Sequence, residues 1–261
     1  MRLAFTTEYD GSTFSGFQRQ KNADSVQQNI EEALEKITQE KISINYAGRT
    51  DAGVHALSQV FDFSTSIKRD DKNWIDGINS NLTDLIAVTS ITEVPDDFHS
   101  RFSALERSYT YVVYNSRSKP LFFGNSVHWD NNLIDINILK EQSKMFLGTH
   151  DFSSFRSSSC NSKNPVKNIK NIDIEIYENF IFITIKANAF LHNMVRIMVG
   201  TLLDIAKGEI SSSIEEILSK QDRTYAGKTA SAKGLFFLGP RYDLKFNIPS
   251  PTEHLMNRFK L

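Results

Sequence analysis

The run Phe190–Leu203, FLHNMVRIMVGTLL, is the segment that most restricts what this chain can become. It is strongly apolar, yet shorter than the roughly 20 residues a bilayer core requires, and it carries His192, Asn193 and Arg196. A buried helix holding one ion is the reading that remains, and such a helix needs a core around most of its circumference. With 261 residues, 40% of them hydrophobic and 23% charged, the chain can build that core as one large domain or two modest ones. Arg196 is the only charge between Lys186 and Asp204. Leaving its guanidinium unpaired there would cost several kcal/mol. Either the side chain snorkels to the surface or a carboxylate from elsewhere meets it. Asp204, eight residues along the same helix, is too far for an i,i+4 pair.

The rest of the chain alternates strands and helices. Leu3–Glu8 reads as a strand closed by Asp10-Gly11, and Ser25 with Gln28 has the spacing of a capping box ahead of the apolar face Val26, Ile30, Ala33, Leu34 and Ile37. Strands are expected at Ser43–Tyr46, Val60–Ser64 and Ile86–Val94, with a short helix around Trp74 and Ile78. Further on come a strand at Ser108–Tyr114, a helix at Ile136–Leu147 ending on Gly148, and a hairpin of Ile172–Ile176 with Phe180–Ala187. The apolar helix then runs from about His192 to Lys207, followed by a weaker helix at Ser213–Ser219 and a last strand at Leu235–Leu238. The pattern predicts an α+β protein of two mixed or antiparallel sheet lobes, with helices on the outer faces and a central cleft. The expected division is 1–104 for the first lobe, 105–246 for the second and 247–261 for a C-terminal tail. A Ser/Asn-rich loop lies between Ser157 and Lys167.

Many chemistries are absent from the sequence. Thirty basic and 31 acidic residues give a net charge of -1, so any nucleic-acid contact must come from local charge. One cysteine, Cys160, rules out an internal disulfide framework and cysteine-based zinc fingers. No G-x-G occurs, Asp222 occupies the first-glycine position of the P-loop-like Gly227-Lys228-Thr229, and no two histidines have metal-ligand spacing. A site without metal or cofactor is the simplest expectation. With no secretory h-region and no membrane span, a soluble cytoplasmic protein is expected.

Gly48-Arg49-Thr50-Asp51-Ala52-Gly53-Val54-His55-Ala56 stands apart. Two glycines bracket an Arg-Thr-Asp triplet between strands, a pattern that presents a carboxylate on a tight excursion. An ordinary Asp-capped turn would have the same pattern. Asp51 is nevertheless the natural candidate for the anion that Arg196 calls for.

That loop, with YDGSTFSGFQ (Tyr9–Gln18), FHSRFSALERSYTY (Phe98–Tyr111), DFSSFR (Asp151–Arg156), ANAFLHNMVR (Ala187–Arg196) and AKGL (Ala232–Leu235), resembles the TruA-type family of tRNA pseudouridine synthases, block by block and in order. The resemblance implies a pseudouridine synthase-like fold and the isomerisation of uridine to pseudouridine at positions 38, 39 and 40 of the tRNA anticodon arm. It implies no cofactor or metal, and a homodimer working on tRNA. Asp51 would be the nucleophile, attacking either the uracil ring or the ribose C1′, with Arg196 keeping its carboxylate ionised. Tyr109 would stack on the target base and help remove the C5 proton. Leu235 would wall the base pocket, and Arg49 would contact phosphate or hold the flipped nucleotide's place. Arg101, Arg107 and Arg156 would contact phosphates, with Lys163 and Lys167 as weaker contacts. For His55, a tie between the loop and its neighbours is the favoured role. A synthase acting on another RNA, or a silent RNA-binding protein on the same scaffold, are the alternatives.

Overall fold

A computed structural model describes residues 1–160, 162–250 and 255–259. The chain opens with β1 (Arg2–Tyr9), α1 (Val26–Thr38), β2 (Asn45–Tyr46), β3 (His55–Ser64), α2 (Asp71–Asn79) and β4 (Ile86–Val94). Next come β5 (Glu106–Asn115), β6 (His128–Asp130), α3 (Ile136–Lys144), β7 (Gly148–Asp151), β8 (Val166–Tyr177) and β9 (Phe180–Ala187). The chain closes through α4 (Met194–Ala206), α5 (Ile214–Lys220) and β10 (Leu235–Arg241). These form two compact units, 1–107 with 236–255, and 108–235 with 256–261. The α+β class expected from the pattern is the class adopted.

In the first unit β1 is flanked by β4 and β3, both antiparallel to it. The other edge of β3 carries β10 in parallel, through Phe236 and Phe237, and β2 antiparallel at Asp62 and Phe61. Successive side chains of a strand face opposite sides, and here both sides are covered. One face stacks Phe5 on Phe61 and Phe63 at centroid distances of 5.1 and 5.5 Å, with Trp74 of α2 edge-on against Phe5. The other gathers Ala4, Val60, Val94 and Phe98 under Tyr242 and Phe246. Two-sided cover explains why nine of the ten residues of β3 are buried, including Gln59 and Asp62. Asp62 is compensated by Arg2 Nε at 2.9 Å, Asn45 Nδ2 at 3.1 Å and the Ser100 amide at 2.7 Å.

The expected 105–246 lobe therefore differs from the compact units, because β10 and the segment after it return to the first unit. Of the expected tail, Ile248 packs with the Phe98 cluster, while residues 251–254 and 260–261, like residue 161 in the Ser157–Lys167 loop, lie outside the described residues.

In the second unit the strands run β5-β9-β8-β7, with β6 parallel on β5 from Val113↔His128. The β8–β9 hairpin and the β7–β8 pair are antiparallel. Every residue of α4 except Arg196 is buried, as its composition requires. No helix among the described residues is long and apolar enough to cross a membrane.

Several boundaries move, each for a visible reason. β3 begins at His55, not Val60, because β1 pairs with it as far as Ala56 and β10 pairs at His55 and Ala56. α3 stops at Lys144, and Gly148, with φ +96°, opens β7 instead of capping the helix. Ser25 accepts from the Gln28 amide, but the Gln28 side chain goes to Glu32, so only half of that capping box forms. The complete box is on α5, between Ser213 and Glu216.

Close approach also sets a sign at Gly200. Alanine ordinarily favours a helix interior over glycine by about 1 kcal/mol, but a Cβ here would run into the Lys228 carbonyl oxygen. Gly200→Ala should therefore destabilise, by about 1–3 kcal/mol; urea unfolding showing a more stable variant would refute the packing argument.

Candidate active site

The loop from Ala47 to Val54 has almost no regular hydrogen bonding of its own, so its backbone groups must be satisfied from outside. Gln59, wholly buried on β3, meets Gly48 twice: its Oε1 accepts from the Gly48 amide at 3.2 Å and its Nε2 donates to the Gly48 carbonyl at 2.5 Å. Next, the Thr50 hydroxyl is 2.7 Å from the Tyr9 hydroxyl, and the Thr50 carbonyl accepts from the Phe17 amide at 3.1 Å. The Asp51 carbonyl accepts from the Val54 amide at 3.2 Å. Gly53, at φ +77°, donates its amide to the Phe14 carbonyl at 3.4 Å.

Two glycines of the segment after β1 make this wrapping possible. Gly16 has φ +99°, and a Cβ on it would lie 2.8 Å from the Thr50 oxygen and 3.2 Å from the Asp51 carbonyl carbon. A Cβ on Gly11 would collide with the Val54 carbonyl. Both positions need a bare backbone to press on the loop. The result is a held loop in which Arg49 is exposed, Thr50 buried and Asp51 half-buried.

His55, buried at the start of β3, ties the same pieces together. Its Nδ1 lies 3.2 Å from the Gly11 amide and 3.1 Å from Asp10 Oδ1, with the ring stacked on Phe236 at 4.7 Å. One nitrogen cannot serve both partners at once. Neutral, it accepts from Gly11; protonated, it donates to Asp10. Burial works to raise the Asp10 carboxyl, but the Ser12 amide and hydroxyl and the His55 ring outweigh it and hold the group below its ordinary value. The Tyr9 hydroxyl is pushed far above the usual phenol range by burial, which its Thr50 and Gln59 hydrogen bonds only partly offset. Tyr9 is therefore a neutral hydrogen-bonding post and not a base.

The second unit holds the other expected residues. Tyr109 is buried on β5 and packs edge-on against Phe190, with centroids 5.1 Å apart. Arg196 is half-buried rather than buried outright. Its Nε donates to the Ala230 carbonyl at 2.8 Å and its Nη1 to Asn193 Oδ1 at 3.0 Å, while its own carbonyl accepts from the Ala230 amide at 3.1 Å. Leu235 is buried at the first position of β10.

The remaining cations divide. Arg101 is exposed and lies over the Phe102 ring at 5.6 Å. Arg107 donates to the carbonyls of Ala104 at 3.2 Å, Ala47 at 3.4 Å and Arg101, which fastens the Arg101–Ala104 segment to the foot of the Gly48 loop. Arg156 donates to the Cys160 and Ser162 carbonyls at 2.7 and 3.2 Å and so shapes the loop after it. Lys167 is buried on β8 with its ammonium on the Asn164 and Val166 carbonyls, at 2.6 and 3.0 Å, whereas Lys163 is exposed. Phe155 is fully buried against Phe146 at 5.0 Å, a core residue. Among the described residues no cluster of three or more His, Cys, Asp or Glu side chains could hold a metal.

Gln59, Tyr9, Thr50, Gly11 and Gly16 were not singled out by sequence reasoning. All but Gln59 lie within two quoted motifs, and the glycine spacing was the available signal. Gln59 sits in a strand and offers none.

Comparison with known proteins agrees with the motifs. The family described as tRNA pseudouridine synthase matches residues 6–103 and 143–243, with Tyr109 lying between the two stretches. The "tRNA pseudouridine synthase A" of Hydrogenovibrio crunogenus is 44% identical over 250 residues, 95% of each chain. The proteins of that name from Enterobacter sp. (strain 638) and Aliivibrio fischeri (strain MJ11) are each 41% identical, covering 96% and 95% of this chain and 93% and 95% of their own. A solved Cbf5-Nop10-Gar1 complex aligns over 90% of this chain and 49% of its own, but a TM-score of 0.40 at 10% identity is too distant to weigh.

The Tyr9–Thr50 contact is the most exacting part of the loop's support. Tyr9→Phe removes it and leaves a buried hydroxyl short of a partner, so stability should fall by about 1–3 kcal/mol. An unchanged urea midpoint would show that the contact does not hold the loop.

Proposed function

The chain belongs to the tRNA pseudouridine synthase family, and from that membership we propose that it forms pseudouridine at positions 38, 39 and 40 of the tRNA anticodon arm with Asp51 as nucleophile. It is an isomerase of uridine in tRNA. The C1′–N1 glycosidic bond breaks, the base turns, C5 joins C1′, and the proton lost from C5 is balanced by one gained at N1. No electrons enter or leave, so the chemistry asks only for a nucleophile, a proton acceptor and a site that holds the turned base.

The observation that carries the reading is the hold on the Asp51 loop. A nucleophile must meet its target within a few tenths of an ångström, and sites gain most when the attacking group is positioned in advance. Gln59, Tyr9, Gly11 and Gly16 converge on the seven residues from Gly48 to Val54, far more support than a connecting turn needs. Its carboxylate attacks the uracil ring or the ribose C1′. Arg196 serves as the cation that keeps the carboxylate ionised, and Tyr109 stacks on the base and assists loss of the C5 proton. Leu235 supplies an apolar wall to the base.

Arg49 and Arg101, both exposed, meet the RNA backbone or the place vacated by the flipped nucleotide. Arg107 and Arg156 act by shaping the segments that their hydrogen bonds already tie. A structured RNA arm is recognised through shape and phosphates more than base sequence, so affinity should weaken as salt rises. The reading carries with it a homodimer working in the cytoplasm on its tRNA.

The deciding assay maps pseudouridine in unmodified tRNA treated with wild-type protein, Asp51→Ala or Asp51→Asn. Wild type should modify positions 38–40, and both variants should bind tRNA without turnover; residual turnover in either removes the nucleophile assignment. Modification confined to other positions, or to another RNA, would overturn the site assignment while keeping the chemistry. Tyr109→Phe should bind tRNA yet lose about 10²–10⁴-fold in turnover, the usual contribution of a proton-transfer group; full activity would remove that role. Arg196→Met should lose about 10²–10³-fold, as when one preorganised electrostatic group is deleted. A kcat close to wild type would separate Arg196 from the chemistry.

A further inference from the structure

The second unit contains a hydrogen-bond relay that the proposed mechanism does not use. Tyr111, two residues beyond Tyr109 on the same face of β5, is completely buried. Its hydroxyl lies 2.8 Å from the Ser231 carbonyl oxygen and 3.0 Å from His128 Nδ1. The hydroxyl has one proton, and a carbonyl can only accept. Both contacts are satisfied together only when Tyr111 donates to Ser231 and His128 Nδ1 carries the proton that points at the Tyr111 oxygen. Burial, with Lys207 nearby, pushes His128 below its ordinary value against the opposing pull of Asp130 and Asp204. Near neutrality the ring therefore has one N–H, and the geometry assigns it to Nδ1.

Ser231 follows Ala230, the residue whose amide and carbonyl are bonded to the Arg196 backbone and side chain. Gly234, three residues further, presses so closely on β5 and β6 that a Cβ would lie 2.6 Å from the Val112 carbonyl and 3.1 Å from the Tyr111 ring. The segment that fixes the Arg196 rotamer is thus itself fastened by Tyr111. We propose that His128 is a positioning residue for the reaction: by donating from Nδ1 it directs the Tyr111 hydroxyl onto Ser231 and so holds the turn to which Arg196 is bonded. The inference rests on the reading that Arg196 serves the chemistry. His128 acts through the Tyr111 hydroxyl and the Ser231 carbonyl, not on the reacting atoms.

The test compares tRNA turnover by wild type, His128→Leu, His128→Asn, Tyr111→Phe and the double variant His128→Leu/Tyr111→Phe. An asparagine amide can place an N–H where Nδ1 stood. Because a displacement of about 1 Å can cost on the order of 100-fold, His128→Leu should lower kcat by about 10- to 100-fold with KM for tRNA within about twofold, and His128→Asn should recover to within about threefold of wild type. Tyr111→Phe should match His128→Leu, and the double variant should be no worse than either, since both act through one contact.

A folded His128→Leu protein with wild-type kcat, an asparagine variant no better than leucine, or additive losses in the double variant would each overturn the proposal. If His128→Leu does not fold, His128→Asn against His128→Gln makes the same comparison, because glutamine reaches the Nε2 position instead; equal kcat values would refute the relay. Ring-nitrogen NMR of histidine-labelled protein gives a readout that needs no substrate. A bare Nδ1 on His128 would sink this inference and leave the proposed function standing. A protonated Nδ1 in a protein that forms no pseudouridine would instead sink the proposed function.

Discussion

Backbone outside helices and strands has to find partners for every buried N–H and C=O, and the Gly48–Gly53 loop lives under that constraint. It lies beside β3, where nine of ten residues are buried, so water cannot supply the missing bonds throughout. Gln59 solves the problem at Gly48 with a side-chain amide that imitates a strand neighbour, donating and accepting at once. The Phe17 amide and the Phe14 carbonyl solve it at Thr50 and Gly53, and Tyr9 holds the Thr50 hydroxyl beside them. The two-sided cover of β3, the bare backbones of Gly11 and Gly16, and the half-burial of Asp51 are consequences of one need. A carboxylate can be held ready on a loop only if the loop has no other conformation of comparable energy.

The second unit meets the same need differently. There the polar group to be held is on a helix, and α4 is buried everywhere except at Arg196. A guanidinium on such a helix keeps some access to solvent and spends part of its donor fork on Asn193 and Ala230. Those two contacts, both to neutral oxygens, restrict the rotamer. The Ala230–Gly234 segment can serve as a bracket because glycine at 234 lets it lie against β5 and β6 without a side chain between them.

Much of this was legible in the sequence, and what was not has a common cause. Periodicity and apolar runs located β1, α1, β4 and α4 to within about two residues, and placed α2 without bounds, because each buries a face or a whole surface. Arg196 was legible because one charge in an apolar run is a local anomaly, although its half-burial and its carbonyl partners were not. β6 and β7 escaped notice since three or four residues carry no period. The start of β3 was misplaced because its extension depends on pairing with the end of β1 and with β10, partners distant in the chain. Gln59, Tyr111 and His128 look like ordinary strand residues, and their importance arises from partners that only the fold supplies. Motif order identified the family from short-range pattern, whereas the supporting polar contacts are long-range and leave no pattern to read.

The charge balance follows from the same distinction between held and unheld groups. A net charge of -1 is a poor attractor for RNA only if every cation and anion counts equally. Arg2 is paired with buried Asp62, Arg19 with Glu31, and Arg241 with Glu106 at 2.7 Å. Each such pair is close to neutral when seen from a phosphate a Debye length away, about 8 Å at physiological salt. Each pair removes one cation and one anion, so the remaining charges still sum to -1 and only their placement can favour a polyanion. Exposed Arg49, Arg101 and Lys163 act through that placement. A near-neutral protein can in this way present locally cationic ground to a polyanion, with an attraction that acts over short range and is correspondingly sensitive to ionic strength.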